Sequence, residues 1–355
     1  MLQVNILTRY EYPLFTQHIP KQYNNVPITF HENSREDIEW DCVVVFDGLR
    51  AKTNVRVALG GLLFVAGEPP DAMPYTSQFL DQFDETFCAH PSILKRKNNL
   101  AEQYFNNWHY GYDQTTKQFR YTFENIRDLA PPKKDKSMSV IMSNLAYMPN
   151  HLKRLRFLEA LQNRFVDKVD VYGRGHRFIP YKEDALLAYR FHLCIENCAI
   201  PNLWTEKIAD PLLAYTVPVY SGCTNISKYF PENSLIQIDI DDVPNSLAIV
   251  ERLLNASEEK YQCMIPHVLD ARRRLLGPYN LIHFLTEFVE ARLHLKLTLR
   301  SCSIIRNEST LKFPLENVFL RGRRALYRKC FHFMNIRSPH QRRLLNDIHN
   351  NQEVL

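Results

Sequence analysis

The chain of 355 residues is short of several things, and each shortage excludes something. Its eight cysteines (Cys42, Cys88, Cys194, Cys198, Cys223, Cys263, Cys302 and Cys330) include no Cys-x-x-Cys pair. Cys194 and Cys198 stand four apart with no second Cys/His pair at zinc-ligand spacing, which argues against a structural zinc and for reduced thiols in a cytoplasmic setting. Glycine is scarce, with ten residues beside twenty prolines, and neither a low-complexity tract nor an internal repeat can be traced. No run approaches the ~20 apolar residues of a membrane-spanning helix. The opening MLQVNILTRYEYPLF has no basic segment ahead of a long apolar core, so it reads as a first strand and not as a signal peptide. A membrane would be met only by lying on it.

What is present is globular: 45% hydrophobic and 23% charged residues, in a chain long enough for about two domains of ~150 residues each. The charge is uneven. From Ser301 onward ten Lys/Arg face four Asp/Glu, leaving thirty-four against thirty-five in the first 300 residues. The basicity belongs to the tail, and a near-neutral body makes nucleic acid an unexpected partner.

Short β-rich runs stand at 2–8, 42–46 and 62–66, followed by a block rich in Tyr, Phe, Trp and Asn and by APPKKDK, 130–136, of linker composition. Beyond it the pattern sharpens. Strands are expected at 138–143, 169–172, 191–197, 217–222 and 234–240. Helices are expected at 151–165, 208–215, 244–255, 257–275 and 279–297. Strands alternating with helices predict parallel, doubly wound sheets. Two such sheets facing each other would leave a cleft, and ligands sit at the carboxyl ends of the strands in sheets of this kind.

Residues 191–223, FHLCIENCAIPNLWTEKIADPLLAYTVPVYSGC, form one unit. A strand ends at Glu196-Asn197, a helix begins at Thr205-Glu206-Lys207, and a second strand and turn come after it as VPVYSG. Thr205 suits an N-cap that leaves backbone N–H groups for an anion. Lys207 adds positive charge, and Glu206 is placed to accept hydrogen bonds from sugar hydroxyls.

This unit resembles the fucosyltransferases of glycosyltransferase family 10, whose signature runs approximately F-x-L-x-F-E-N-S…Y-V-T-E-K…T/G-V-P-V-Y-x-G. It matches at Phe191, Leu193, Glu196, Asn197, Thr205, Glu206, Lys207, Val217, Pro218, Val219, Tyr220 and Gly222, and the resemblance spans about 138–243. It implies an α/β chain in the GT-B arrangement, two Rossmann-like domains with a cleft between them. An acceptor-binding domain would occupy 1–135 and a nucleotide-sugar domain 136–300, with a basic amphipathic tail at 301–355. It also implies an inverting transfer of L-fucose from GDP-fucose to a hydroxyl of an oligosaccharide or glycolipid, with no metal or other cofactor required.

By the same resemblance Arg154, in register with Phe157 and Leu161 though flanked by Lys153 and Arg156, binds the donor diphosphate. Asn197, Glu206 and Lys207 are the other donor-binding residues, and Glu196 is either donor-binding or structural. Related bacterial enzymes carry Gly-Glu at a strand end and Phe-Asp-Glu about sixteen residues later. Here Gly67-Glu68 and Phe83-Asp84-Glu85 fit, making Glu68 the general base and Glu85 its rival or an acceptor contact. Trp108 and His109 either stack on acceptor sugars or pack the N-terminal domain.

The chain departs from the family at Leu203, where a tyrosine is usual, and at Trp204, Cys198 and Pro211. Leu203 keeps a different nucleotide sugar open, Trp204 is a possible replacement wall for the donor, and a catalytically silent glycan- or nucleotide-binding protein is the alternative of another class. Asp239 in IDIDD, 238–242, matches the Asp-x-Asp manganese motif of other glycosyltransferases but is read as an ordinary strand end. In the tail, 313–336 mixes Phe319, Leu326, Phe331 and Phe333 with five basic residues, which suits either an interfacial segment on anionic lipid or a helix packed on the body.

Overall fold

The computed structural model describes residues 1–21, 27–91, 93–100, 105, 107–146, 148–293, 300–307 and 326. The strands among them are β1 (Leu2–Thr8), β2 (Ile28–Glu32), β3 (Glu39–Trp40), β4 (Cys42–Phe46), β5 (Thr53–Ala58), β6 (Leu62–Val65), β7 (Glu85–Phe87), β8 (Lys136–Ile141), β9 (Asp170–Tyr172), β10 (Tyr189–Ile195), β11 (Val217–Ser221), β12 (Ile236–Gln237) and β13 (Arg300–Ile305). The α-helices are α1 (Ser77–Leu80), α2 (Phe123–Arg127), α3 (Pro149–Arg164), α4 (Glu206–Leu213), α5 (Val243–Leu254), α6 (Glu258–Leu276) and α7 (Leu281–Leu293).

Two five-stranded sheets carry the fold, ordered β2-β1-β4-β6-β7 and β12-β11-β10-β8-β9, with every pairing in them parallel. Each has the same plan: the first strand of the sheet along the chain pairs with the sheet's second on one side and its third on the other, and its fourth and fifth extend outward. That is the doubly wound 2-1-3-4-5 order, whose direction of winding reverses between first and third strands. The reversal lies between β1 and β4 in the N-terminal sheet and between β8 and β10 in the C-terminal one. Strands covered on both faces must be apolar throughout, and in β4, CVVVF, all five residues are buried. The GT-B arrangement expected from the sequence is the one the chain adopts.

Three expectations need correction. The run 234–240 pairs as a strand only at Ile236–Gln237, because Glu232–Ser234 turns as a 3-10 helix and leaves Ile238 and Ile240 buried with Asp239 outside. The domain boundary at 300 is also misplaced. Leu281, Ile282, Leu285 and Val289 of α7 pack on Val4, Ile6, Val44, Leu63 and Phe87 of the N-terminal sheet. Beyond it β13 pairs antiparallel with β5. The chain therefore crosses back after α6, and both α7 and β13 serve the first half. The stretch 130–136 is no loose linker either, since Lys134 is buried and donates to the carbonyls of Leu186 (3.0 Å) and Ala214 (2.7 Å) and to Thr216 Oγ1 (2.8 Å). The segment 313–336 lies outside the described residues except for Leu326.

Candidate active site

The unit at 191–223 assembles on two strands and one helix. β10 and β11 run parallel, so Glu196 leaves the sheet beside Ser221. Thr205 caps α4 by accepting the N–H of Lys207 at 3.3 Å, and its own N–H and Oγ1 donate to Glu196 at 2.9 and 2.7 Å. Glu196 is 1% exposed and lies 3.5 Å from Lys207 Nζ. It ties the strand end to the helix start.

Cations and carboxylates then alternate across the cleft. Lys207 Nζ sits 3.1 Å from Glu206, and Lys182 Nζ lies 2.9 Å from Asp210 and 3.7 Å from Glu206. Burial pushes Glu206 up, but Lys207 and Lys182 outweigh it and hold the carboxyl well below its ordinary value. Burial opposes the charge on Lys207, yet Glu206 and Glu196 raise it above an ordinary lysine. Asp210 is pushed up to about 6, burial outweighing Lys182. Arg154 is buried on α3 and donates to the side-chain oxygen of Asn197. His151, one turn earlier, is lowered to about 4 by burial and then by Arg154.

Two cavities meet over these groups. One of ≈ 240 Å³ lies at the carboxyl ends of β8 and β10, where the C-terminal sheet reverses its winding, with Met142, Ser143, His151, Arg154, Lys182 and Asn197 among its walls. The other, of ≈ 260 Å³, brings Tyr10, Tyr12, Gly67 and Glu68 of the N-terminal half against Glu196, Leu203 and Thr205. Both are walled by His109, Asn197, Glu206 and Lys207, so they form one groove. Such a crevice at a topological switch point is where doubly wound sheets bind ligands.

Glu68 stands three residues past β6 on the far side of that groove. Burial and then the neighbouring Asp47 raise its carboxyl to about 7, against the opposing pull of Lys207. His109 borders both cavities; its N–H donates to Asp210 Oδ1 at 2.9 Å, and burial lowers its ring to about 3, leaving it neutral.

The structure does not bring the other expected residues into the groove in the same way. Trp108 is 1% exposed and stacks on His18 at 3.9 Å, so it has no open face for a sugar. Trp204 is equally buried, against Tyr229, Phe230 and Tyr279, and is core and not a donor wall. Leu203 touches the groove's edge but packs with Phe64, Tyr75 and Phe79 of the N-terminal half, so its apolar side chain joins the two halves. Glu85 pairs level with Leu63 at the amino end of the N-terminal sheet, opposite to Glu68. Its neighbour Asp84 explains the motif there by accepting the N–H of Leu62 at 2.9 Å.

Sequence reasoning missed Lys182, Asp210, Asp47 and Tyr12. Only Asp210 lies inside the recognised unit, and nothing in its spacing distinguishes it. Among the described residues no cluster of three or more His, Cys, Asp or Glu is arranged to hold a metal ion.

Residues 131–265 match the protein-family model described as glycosyltransferase family 10 (fucosyltransferase) C-term. Over 113 residues the chain is 34% identical to the 4-galactosyl-N-acetylglucosaminide 3-alpha-L-fucosyltransferase FUT6 of Homo sapiens, covering 30% of this chain and 31% of that protein. The match to the 3-galactosyl-N-acetylglucosaminide 4-alpha-L-fucosyltransferase FUT3 of Homo sapiens has the same identity and coverage. The chain thus spans about a third of the length of the curated relatives it matches. Among solved structures, a crystal structure of an alpha1,3-fucosyltransferase aligns with a TM-score of 0.46 at 19% identity, over 75% of this chain and 81% of that one.

Proposed function

We propose, for a chain whose residues 131–265 match the family 10 fucosyltransferase C-terminal domain, an inverting fucosyltransferase that moves L-fucose from GDP-fucose onto a hydroxyl of an oligosaccharide. The observation that carries this reading is a single groove with cations on one wall and Glu68 on the other. Arg154 and Lys207 meet the diphosphate, joined by Lys182, while Glu206 and Asn197 contact the sugar. Glu68 takes the proton of the acceptor hydroxyl as its oxygen attacks the anomeric carbon, and the bond to the diphosphate breaks with its electrons going to GDP. The cations disperse the charge that develops on the leaving group. A base near neutrality suits this step, because at neutral pH a substantial share of it is deprotonated while it is still basic enough to accept the proton.

The named relatives act on galactosyl-N-acetylglucosaminides, which makes a galactosyl-N-acetylglucosaminide the first acceptor to offer. We extend the reading to the basic and aromatic segment 313–336, as a surface for anionic lipid that keeps the enzyme beside a membrane-held acceptor. The test is transfer from a panel of sugar nucleotides to a panel of acceptors, with Glu68→Gln alongside. Transfer from GDP-fucose alone, and a loss of about 10²–10⁴-fold in Glu68→Gln with GDP affinity kept, is the expected result. Transfer from another nucleotide sugar reassigns the donor. Binding without transfer to any acceptor makes the protein a silent binder, and full activity in Glu68→Gln removes Glu68 as base.

A further inference from the structure

The N-terminal sheet has a switch point of its own, between the carboxyl ends of β1 and β4, and a buried carboxylate occupies it. Asp47 comes directly after β4, is 0% exposed and takes a left-handed φ of 59°. Donors converge on its side chain. Oδ1 accepts the backbone N–H groups of Gly67 and Glu68 at 3.3 and 3.1 Å and the hydroxyl of Tyr75, and Oδ2 accepts the hydroxyl of Tyr10 at 2.8 Å. The loop carrying Glu68 is gripped at two successive N–H groups, and His90 Nε2 holds the Glu68 carbonyl at 2.8 Å. Gly67 belongs to the same fit, since a Cβ there would stand 2.7 Å from the ring of Phe46.

We propose that Asp47 is a positioning residue for Glu68: it fixes the backbone that presents the base and places a negative charge behind it that strengthens it. This rests on Glu68 being the base. Fixing the loop needs only an acceptor, which an asparagine would also supply. Strengthening the base needs the charge. A second carboxylate close by disfavours ionisation of the first, and the two phenols temper that charge by hydrogen-bonding to it. The other groups facing Glu68 are Arg9 and Tyr10 after β1, Tyr12 in the same loop, and Glu206 and Lys207 at the start of α4. Arg9 and Lys207 act against Asp47, and Glu206 acts with it.

The discriminating variants are Asp47→Asn, which keeps the acceptor oxygen and removes the charge, and Tyr75→Phe, which keeps the charge and removes one donor. Transfer by the full chain is measured as kcat/KM from pH 5 to 9, with GDP affinity as a check on the donor side. Asp47→Asn should move the acid limb to lower pH by about one unit and lower the plateau rate by about tenfold, because a weaker base accepts the proton less readily. Tyr75→Phe should move the limb the other way, to higher pH. Loss of packing alone would not shift the two limbs in opposite directions. If both profiles overlay that of the unaltered chain while Glu68→Gln is inactive, Asp47 is purely structural and the proposal fails. If Glu68→Gln is active, the base itself was misassigned. Should Asp47→Asn not fold, Tyr75→Phe decides by the direction of its limb, an unmoved limb overturning the proposal.

Discussion

A residue's chemistry here is set less by its type than by what faces it. Glu68 and Glu206 are two glutamates on one groove with opposite environments: burial and Asp47 raise the first to about 7, while two lysines hold the second low. The pair separates into a group that can accept a proton and a group that stays charged. On the proposed function this fixes the sign for activity. With Glu68 as the proposed base, transfer requires it deprotonated, so kcat/KM should be constant at alkaline pH and fall tenfold per unit as pH drops below about 7. An ordinary glutamate would place that limb nearer ~4. A pH profile of transfer at low acceptor concentration reads it directly. Gly222 makes a steric case at the same scale. A Cβ there would lie 2.4 Å from Glu196 Cγ and 2.6 Å from the Tyr220 hydroxyl. Gly222→Ala should therefore destabilise the protein by about 1–3 kcal/mol and weaken GDP binding, because Glu196 can yield only by loosening Thr205 and Lys207. Urea unfolding and GDP titration give the two numbers.

At the scale of elements, α4 organises the site. It has eight residues, begins after a capping threonine and carries Pro211, whose ring nitrogen offers no hydrogen to the carbonyl of Lys207 one turn back. Tertiary contacts hold such a helix, and Asp210 is the foremost. It accepts the N–H groups of His109 and Tyr110 at 2.9 and 3.1 Å and the ammonium of Lys182, stitching the aromatic block before α2 to α4. Asp210→Ala should cost about 3 kcal/mol, because it leaves a largely buried lysine and two N–H groups without their acceptor. Asp210→Asn should cost less, and chemical denaturation ranks the two. The same element shows what the sequence made legible. Strand end, cap, helix start and next strand are contiguous, so Glu196, Thr205, Glu206 and Lys207 could be read from one short stretch. Lys182 and Asp47 take their roles from partners 28 and 20 residues away, and no local pattern marks them. Trp108, Trp204 and Leu203 misled for another reason: an aromatic or branched apolar side chain serves a core and a sugar platform equally well, and only burial tells which.

At the scale of the molecule, the crossing back of α7 and β13 decides which half depends on the chain's later residues. The sequence marked a helix at 279–297 and assigned it to the C-terminal half, because nothing within a helix says against which sheet it packs. Leu281, Ile282 and Leu285 are fully buried and Val289 is 4% exposed, all on the N-terminal sheet. At about 1.5–3 kcal/mol for each buried side chain, these four contribute as much as a typical domain's whole margin of ~5–15 kcal/mol. A chain ending at Asn280 should lose the N-terminal half, with exposed apolar surface and low soluble yield. A chain ending at Asn307 keeps β13, the Gln82–Arg306 backbone contacts and the hydrogen bond from Asn307 to the Arg50 carbonyl, and should fold and keep whatever transfer to a soluble acceptor the full chain shows under the proposed function. That second chain is the proper control for the proposed lipid surface, because a cut at Arg300 would remove a strand of the body together with the tail. In sedimentation with vesicles rich in phosphatidylserine, the full chain should bind and release as salt rises, each lysine or arginine near the surface contributing about 1 kcal/mol, while the chain ending at Asn307 should stay in solution. Equal binding by both would move the lipid contact onto the body and leave 313–336 without that role.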